Sequence, residues 1–129
     1  MIGLFLLTHS TYGEALIQCA CHVLNKRPLQ IAQLGVAAQD DPLDALPLAR
    51  DMLKLVDTGR GVLILTDIYG ATPSNLAMKL LEPGRVEGVA GVNLPMLLRV
   101  LTYRDRDMQT LVKRAVAGAC DGVLHVAGN

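Results

Sequence analysis

The chain has 129 residues, of which 51% are hydrophobic and 19% charged, and its twelve basic residues balance twelve acidic ones. This length and composition predict a single folded domain over residues 1–129 and argue against intrinsic disorder. Because the net charge is zero and the chain has no tryptophan and one phenylalanine, nucleic acid is a poor candidate partner.

No apolar run approaches the roughly 18 residues that a membrane-spanning helix needs. The N-terminal apolar segment is also too short for a signal peptide, so we expect a cytoplasmic protein. Three cysteines are an odd number and do not suggest a disulfide framework. We predict that Cys19, Cys21 and Cys120 are buried thiols, the ordinary state of free cysteine.

Apolar runs that alternate with amphipathic segments predict five strands and five helices. The first half contains a strand over 2–8, a helix that begins with a capping box at Thr11 and stops at Pro28, a strand over 30–37, and a helix from Asp41 or Asp44 to Thr58. The second half contains a strand over 61–66, a helix with Thr72 as N-cap and Pro73 as its first residue that ends at 82–84, a strand over 86–92, helices over 96–103 and 106–119, and a strand over 123–127. This order predicts an α/β fold whose open, doubly wound, mostly parallel sheet is flanked by helices.

The pattern leaves open where the strand over 123–127 lies. It follows Asp121 and Gly122, a pair typical of tight turns. The strand either returns antiparallel to its own sheet or leaves its subunit and pairs with the exposed edge of a neighbour.

Polar residues follow three of the predicted strands: His9, Asp67 and Asn93. Parallel strands bring their C-terminal ends to one edge of the sheet, where open α/β folds place their sites. A neutral imidazole has one nitrogen with a free lone pair, which can attack phosphorus. Asp67 would hold the other ring N–H and stabilise the developing positive charge, as the acid of a Ser-His-Asp triad orients its histidine. The sequence therefore predicts nucleophilic phosphoryl transfer at His9.

The oxygens of a transferred phosphoryl group need hydrogen-bond donors. Helices are predicted to start after Ser10 and Thr11 and again at Thr72, both at this edge. A helix N-terminus presents free backbone N–H groups and the positive end of the helix dipole. These two helix starts are the candidate phosphoryl-binding elements.

Other chemistries lack their motifs. No Gly-x-Ser-x-Gly elbow supports a serine hydrolase, and no Walker A or dinucleotide glycine motif supports nucleotide binding. No cluster of histidine, cysteine and acidic residues has metal-ligand spacing, so we expect neither a metal nor another cofactor. His22 and His125, on the first predicted helix and the last predicted strand, are interpreted as structural.

Three segments carry a resemblance to a known family. They are His9 after the first strand, Leu65-Thr-Asp-Ile-Tyr-Gly-Ala-Thr-Pro-Ser-Asn75, and Gly91-Val-Asn-Leu-Pro-Met-Leu-Leu98. Their order and spacing over nearly the whole chain resemble the mannose-family IIA component of the bacterial phosphoenolpyruvate:sugar phosphotransferase system. Ser10 is a departure, because the family often has glycine directly after the active histidine.

The resemblance implies a phosphotransferase that accepts a phosphoryl group on His9 from the phosphohistidine carrier protein HPr. The group would pass to a histidine of the IIB component, and the membrane complex would phosphorylate incoming sugar. The resemblance also implies that Asp67 orients His9, that Thr72 and the amide of Ala71 bind the phosphoryl group beside Ser10, and that the protein is a homodimer with exchanged C-terminal strands. Contact with the membrane would then be indirect, through the permease complex.

Direct transfer between histidines needs a docked partner that excludes water from the site. Asn93, Leu94, Pro95 and Met96 are the candidate partner-docking residues, although Met96 is equally well interpreted as part of the core. A second hypothesis makes the chain a regulatory binding module, in which phosphorylation of His9 switches contacts with another protein and no sugar is transported.

Overall fold

The computed structural model describes residues 1–37 and 39–128. Its elements are β1 (Gly3–His9), α1 (Tyr12–Leu24), β2 (Ile31–Val36), α2 (Pro42–Val56), β3 (Val62–Thr66), α3 (Thr72–Met78), β4 (Val86–Ala90), α4 (Leu94–Tyr103) and α5 (Met108–Asp121). The four strands of these residues form one sheet in the order β2-β1-β3-β4, and every neighbouring pair is parallel. The predicted α/β fold with a parallel sheet is confirmed. Since β1 and β3 are neighbours, their C-terminal ends meet at one edge.

The sheet is buried on both faces, as the continuous apolar runs predicted. In β1, Leu4 and Leu6 pack into one core beside α1, α4 and α5, while Phe5 and Leu7 pack into a second core beside α2 and α3. All four side chains are 0% exposed, and burial of each such side chain stabilises the fold by about 1.5–3 kcal/mol. Among the described residues, no helix combines the length and hydropathy needed to cross a membrane. The two cores hold the central strands in place, and with them the edge that carries the polar residues.

Two details of the predicted helix starts are wrong. Thr11 is the N-cap of α1 but makes no side-chain capping bond; instead the Gly13 N–H donates to the hydroxyl of Thr8, at 2.8 Å. The capping box is absent because the backbone of Thr11, with φ of −97° and ψ of 8°, is not in the extended conformation in which an N-cap side chain reaches the N–H groups of the first turn. At α3 the N-cap is Ala71, and Thr72 is already helical.

The segment between α3 and α4 also differs from the prediction. α3 ends at Met78 because the next two amides bond back only three residues, Lys79 to Leu76 at 3.1 Å and Leu80 to Ala77 at 2.9 Å, which closes a tight turn. β4 ends at Ala90, two residues early, because Gly91 has a φ of 93°. Such a backbone leaves the extended region and redirects the chain.

The prediction of buried cysteines is wrong. Cys19 and Cys120 are exposed and Cys21 is half-buried. On α1 the buried stripe consists of Gly13, Leu16, Ile17 and Ala20, so that both cysteines of this helix lie at the borders of the stripe. A spacing that is compatible with a helix does not by itself say which residues face the sheet.

The residues after α5 form no strand in the described part of the chain. The helix ends at Asp121, and the side chains of Val123, Leu124 and Val126 are 73%, 76% and 90% exposed. The predicted antiparallel return to the chain's own sheet is therefore wrong. Pairing with a neighbouring subunit stays a prediction.

At the N-terminal ends of the strands, on the opposite side of the sheet from His9, Arg104 joins three segments. Its guanidinium group donates to the carbonyl oxygens of Ile2 at 3.0 Å, Leu29 at 2.6 Å and Gln30 at 2.7 Å. The side chain is 5% exposed, and its burial lowers the pKa of Arg104, an effect that the charge of Asp105 opposes. Arg104 thus ties the end of α4 to the starts of β1 and β2.

Candidate active site

His9 and Asp67 are in direct contact at the ends of β1 and β3. The Nδ1 atom of His9 lies 2.9 Å from Oδ2 of Asp67, and the backbone N–H of His9 donates to the same oxygen at 3.0 Å. Because a carboxylate only accepts hydrogen bonds, Nδ1 carries the hydrogen and the free lone pair is on Nε2. The His9 side chain is 35% exposed, so the ring remains accessible. The predicted pairing of these two residues across neighbouring strands is present.

The environment of Asp67 favours its ionised form. Burial by itself would raise the pKa of Asp67, but the hydrogen bonds from the His9 amide and ring, together with the charge of His9, outweigh it and lower the pKa. Its second oxygen accepts the backbone N–H of Ile68 at 3.1 Å. Asp67 is therefore an anion at neutral pH and is held in place by three donors. An anion in this position stabilises positive charge on the imidazole ring.

The backbone after His9 takes an unusual conformation. Ser10 has a φ of 47°, which lies in the left-handed region that favours glycine. Its N–H donates to the carbonyl oxygen of Val36 in β2 at 3.0 Å. A Cβ atom at Gly35 would lie 1.8 Å from the Ser10 carbonyl oxygen, so only glycine allows this close approach. Ser10 is exposed and lies directly beside His9 in the chain. Edge strand β2 therefore helps to fix the turn that leads away from His9.

The turn from Asp67 to Ala71 leads into α3 at the same edge. Ala71 is the extended N-cap and Thr72 the first helical residue, and both are half-buried. The first turn of a helix has no internal acceptors for its N–H groups, so Thr72 and Ser74 present free backbone donors, whereas Pro73 has none. The structure thus brings Ala71 and Thr72 to the edge that carries His9, as predicted.

The candidate partner-docking residues separate into two groups. Asn93 caps α4 by accepting the Met96 N–H at 2.9 Å, and Leu94 and Pro95 are half-buried beside it. Met96 is 1% exposed and belongs to the core, so its prediction as a docking residue is wrong. The cap starts the helix at Leu94, and the third residue of the helix then faces the sheet.

Three further residues at this edge were missed. Ile68 and Tyr69 follow Asp67 directly and are 56% and 77% exposed. Large apolar side chains within a turn were an available signal for a docking surface. Tyr12 donates its hydroxyl to the carbonyl oxygen of Val92 at 2.8 Å. The sequence carries no signal for that contact, because the two residues are 80 positions apart.

Other candidate groups are absent from the described residues or lie elsewhere. Over residues 1–37 and 39–128, no group of three or more histidine, cysteine or acidic side chains could hold a metal ion. His22 is exposed in the last turn of α1, whereas His9 lies just before the start of that helix. His125 is exposed in the segment after α5.

Known proteins share both this sequence pattern and this fold. The family model described as "PTS system fructose IIA component" (EIIA-man), PTS being the phosphotransferase system, matches residues 3–116. The chain is 30% identical over 125 residues to the "PTS system mannose-specific EIIAB component" of Escherichia coli (strain K12), a match that covers 95% of this chain and 38% of that protein. It is 46% identical over 54 residues to the "PTS system fructose-specific EIIA component" of Bacillus subtilis (strain 168), over 41% of this chain and 37% of the relative. The chain thus spans well under half the length of the Escherichia coli relative, whereas the match to the Bacillus subtilis relative covers only part of both chains.

Among solved structures, the "Mannose/sorbose specific IIA subunit of phosphotransferase system from Enterococcus faecalis" superposes with a TM-score of 0.87 at 21% identity, covering 99% of this chain and 96% of the other. The "phosphotransferase system component EIIA from Streptococcus agalactiae" gives a TM-score of 0.84 at 18% identity and covers 97% of each chain. At this identity the two structures establish the fold. The family model, which matches most of the chain, together with the His9–Asp67 pair, identifies the chain as a member of the EIIA-man family of phosphotransferase-system IIA components.

Proposed function

We propose that this chain is a phosphoryl carrier of a sugar phosphotransferase system. It accepts a phosphoryl group from HPr on Nε2 of His9 and passes it to a histidine of a IIB component. The observation that carries the proposal is the 2.9 Å contact between Nδ1 of His9 and Asp67, because it leaves Nε2 as the nucleophile. No cofactor takes part. The protein acts in the cytoplasm and meets the membrane only through the permease complex.

In the first step, the lone pair on Nε2 attacks the phosphorus of phosphohistidine on HPr. The new N–P bond forms as the old one breaks, and the bonding electron pair returns to the donor nitrogen. The imidazole of His9 becomes positively charged, and the ionised Asp67 stabilises this charge. Ser10, the amide of Ala71 and Thr72 bind the phosphoryl oxygens. In the second step, a nitrogen of the IIB histidine attacks the phosphorus, the bond between phosphorus and Nε2 of His9 breaks, and its electron pair returns to Nε2.

The partner must cover the site while the phosphoryl group passes, because water would otherwise hydrolyse it. The docking rim consists of Ile68, Tyr69, Asn93, Leu94 and Pro95. Ile68 and Tyr69 are the most exposed of its apolar members, which fits contact with a second protein. HPr and the IIB component dock in turn on this rim.

The test is phosphorylation with phosphoenolpyruvate, enzyme I and HPr. The wild-type protein is expected to take up a phosphate that is labile in acid and stable in base, and His9→Ala is expected to reduce the label to background. His22→Ala is the matched control, because it removes an exposed imidazole at the far end of α1 and should be labelled like wild type. A His9→Ala variant that is still labelled contradicts the assignment.

The regulatory alternative is not favoured, because the matched relatives are named as sugar-specific components of the phosphotransferase system. Transfer from phosphorylated protein to a purified IIB component separates the two roles. A carrier loses its label to IIB and regains it from HPr. A pure regulatory module keeps its label when IIB is added.

We also propose that the protein is a homodimer in which residues 123–127 pair as an antiparallel strand with β4 of the partner. In the described part of the chain, the outer edge of β4 is flanked by two cavities, of about 110 Å³ beside α3 and about 570 Å³ beside α5. Val123, Leu124 and Val126 are exposed and would fill such grooves. At its first residue this edge is already paired, because Val86 and Glu82 exchange backbone hydrogen bonds at 2.8 and 3.0 Å, so the partner strand would pair with the part of β4 beyond Val86.

Removal of residues 123–129 is expected to convert the dimer to a monomer. Sedimentation equilibrium at micromolar concentration measures the mass directly. A shorter deletion of residues 128–129 is the control and should leave the dimer intact. A wild-type protein that sediments as a monomer contradicts the exchange.

A further inference from the structure

Tyr12 joins two segments of the active-site edge that are distant in sequence. It is the first residue of α1, three positions after His9, and its hydroxyl donates to the Val92 carbonyl oxygen at 2.8 Å. Val92 is 2% exposed, so this carbonyl belongs to a residue that water hardly reaches. The contact therefore connects the helix after His9 to the loop over residues 91–93.

The same loop is attached to β3 from its other side. The amides of Gly91 and Val92 both donate to the Thr66 carbonyl oxygen at 2.9 Å. Thr66 immediately precedes Asp67, and Asn93 immediately follows Val92 and caps α4. The loop thus lies between the strand that delivers Asp67 and the helix that begins the second half of the docking rim.

We infer that Tyr12 is a positioning residue: its hydroxyl fixes the loop over residues 91–93, so that Asn93, Leu94 and Pro95 keep a constant place relative to His9. This inference rests on the proposed function, because it concerns how a partner protein meets His9. Because the hydroxyl of Tyr12 donates to the carbonyl oxygen of Val92, its role is to hold the docking rim in place. Transfer from a small phosphoryl donor, which needs no rim, is independent of it.

The surroundings of Tyr12 keep its hydroxyl in the donating form. Burial raises the pKa of Tyr12, and the negative charge of Asp67 raises it further. The ring therefore lies within the electrostatic influence of the catalytic carboxylate and stays protonated over the working pH range. Tyr12→Phe removes the donor and keeps the ring, so it isolates the contact with Val92.

The experiment compares wild type, Tyr12→Phe and His9→Ala with phospho-HPr and with phosphoramidate as donors. Tyr12→Phe is expected to raise KM for phospho-HPr about threefold to tenfold with kcat nearly unchanged, the scale for loss of one hydrogen bond in partner docking. Labelling by phosphoramidate should stay within about twofold of wild type. Tyr103→Phe is the matched control, since Tyr103 lies at the far end of α4 under Arg114.

A second measurement follows the loop without any phosphoryl transfer. Hydrogen exchange at the Gly91 and Val92 amides should be about tenfold faster in Tyr12→Phe than in wild type. Unchanged exchange at these amides, or an unchanged KM in a labelled protein, overturns the inference about Tyr12. A wild-type protein that takes no label overturns the proposed function instead, and the exchange experiment then still decides whether Tyr12 holds the loop.

Discussion

Replacing Asp67 with alanine is expected to slow phosphoryl transfer from HPr through His9 by about 10²–10⁴-fold, the range seen when a catalytic histidine loses the group that orients it. The variant loses the acceptor for Nδ1, so the ring is free to place its hydrogen on Nε2, the atom that must attack. It also loses the anion that stabilises the imidazolium. Single-turnover transfer from phospho-HPr in a rapid-quench instrument measures the rate.

Two comparisons make this result specific. Asp67→Asn keeps the size of the side chain, but the carboxylate accepts from the amide and ring of His9 and from Ile68, whereas an amide has one acceptor and one donor end. We therefore expect a slow transfer rate for this variant too. Asp51→Ala removes an exposed carboxylate on α2 and should transfer at the wild-type rate. A fast Asp67→Ala variant contradicts the orienting role.

The lowered pKa of Asp67 also predicts how stability depends on pH. A carboxyl group whose pKa is lower in the folded state stabilises that state above its ordinary pKa of 3.8, and the stabilisation is lost as pH falls through the lowered value. Wild type should therefore be more stable than Asp67→Asn at pH 7, and the difference should narrow below about pH 3.8. Urea unfolding of both proteins across this pH range measures the two free energies.

Arg104→Met is expected to lower the free energy of unfolding by about 2–4 kcal/mol, with a fall in Tm on the order of 10 °C. The change removes a donor from three carbonyl groups, of which that of Gln30 still accepts the backbone N–H of Leu4 at 3.1 Å. The carbonyl group of Ile2 is shielded from water, because this residue is 1% exposed. The carbonyl group of Leu29 can bond to water instead, because that residue is 72% exposed. The variant no longer has to bury a charged guanidinium group, which offsets part of the loss. The free energy of unfolding should therefore fall by less than the sum of three hydrogen bonds to a charged group.

Urea unfolding and calorimetry measure this loss, and two variants control for it. Arg104→Lys keeps the charge but cannot match the forked geometry that reaches three carbonyls, so only part of the stability should return. Arg106→Met removes an exposed arginine two positions later and should change stability by less than about 0.5 kcal/mol. Because Arg104 lies at the opposite edge from His9, phosphoryl transfer below the unfolding transition should be unaffected. Impaired transfer in a folded Arg104→Met variant contradicts this separation.

The sheet was predictable from the sequence because β1 and β3 are buried on both faces and read as uninterrupted apolar runs. Helix ends were less predictable, since they depend on contacts between distant residues. The capping box at Thr11 is absent because Thr11 does not adopt the extended backbone of a capping residue, and Thr8, which lies outside the helix, accepts the Gly13 N–H. The segment after α5 could not be assigned from one chain, because its exposed valines have no partner within the described residues of that chain.

The His9–Asp67 pair was predictable for a topological reason: both residues follow buried strands, and parallel strands end at the same edge. The elements that hold this pair in place were not. Tyr12 and Val92 come together only when α1 and the loop before α4 fold over the same edge, and the inward position of Met96 depends on where Asn93 starts its helix. The sequence pattern thus identified His9 and Asp67, whereas contacts between distant residues determine how these two side chains are held in place.

The close packing of Gly35 under the Ser10 carbonyl has a consequence for how substitutions spread through the protein. Any larger residue at position 35 must displace backbone, since the atom it meets belongs to a peptide group and not to a flexible side chain. That displacement acts first on the residue bonded to the nucleophile. Gly35 lies on the edge strand β2 and does not contact the phosphoryl group, yet a single methyl group at this position would shift the residue next to His9.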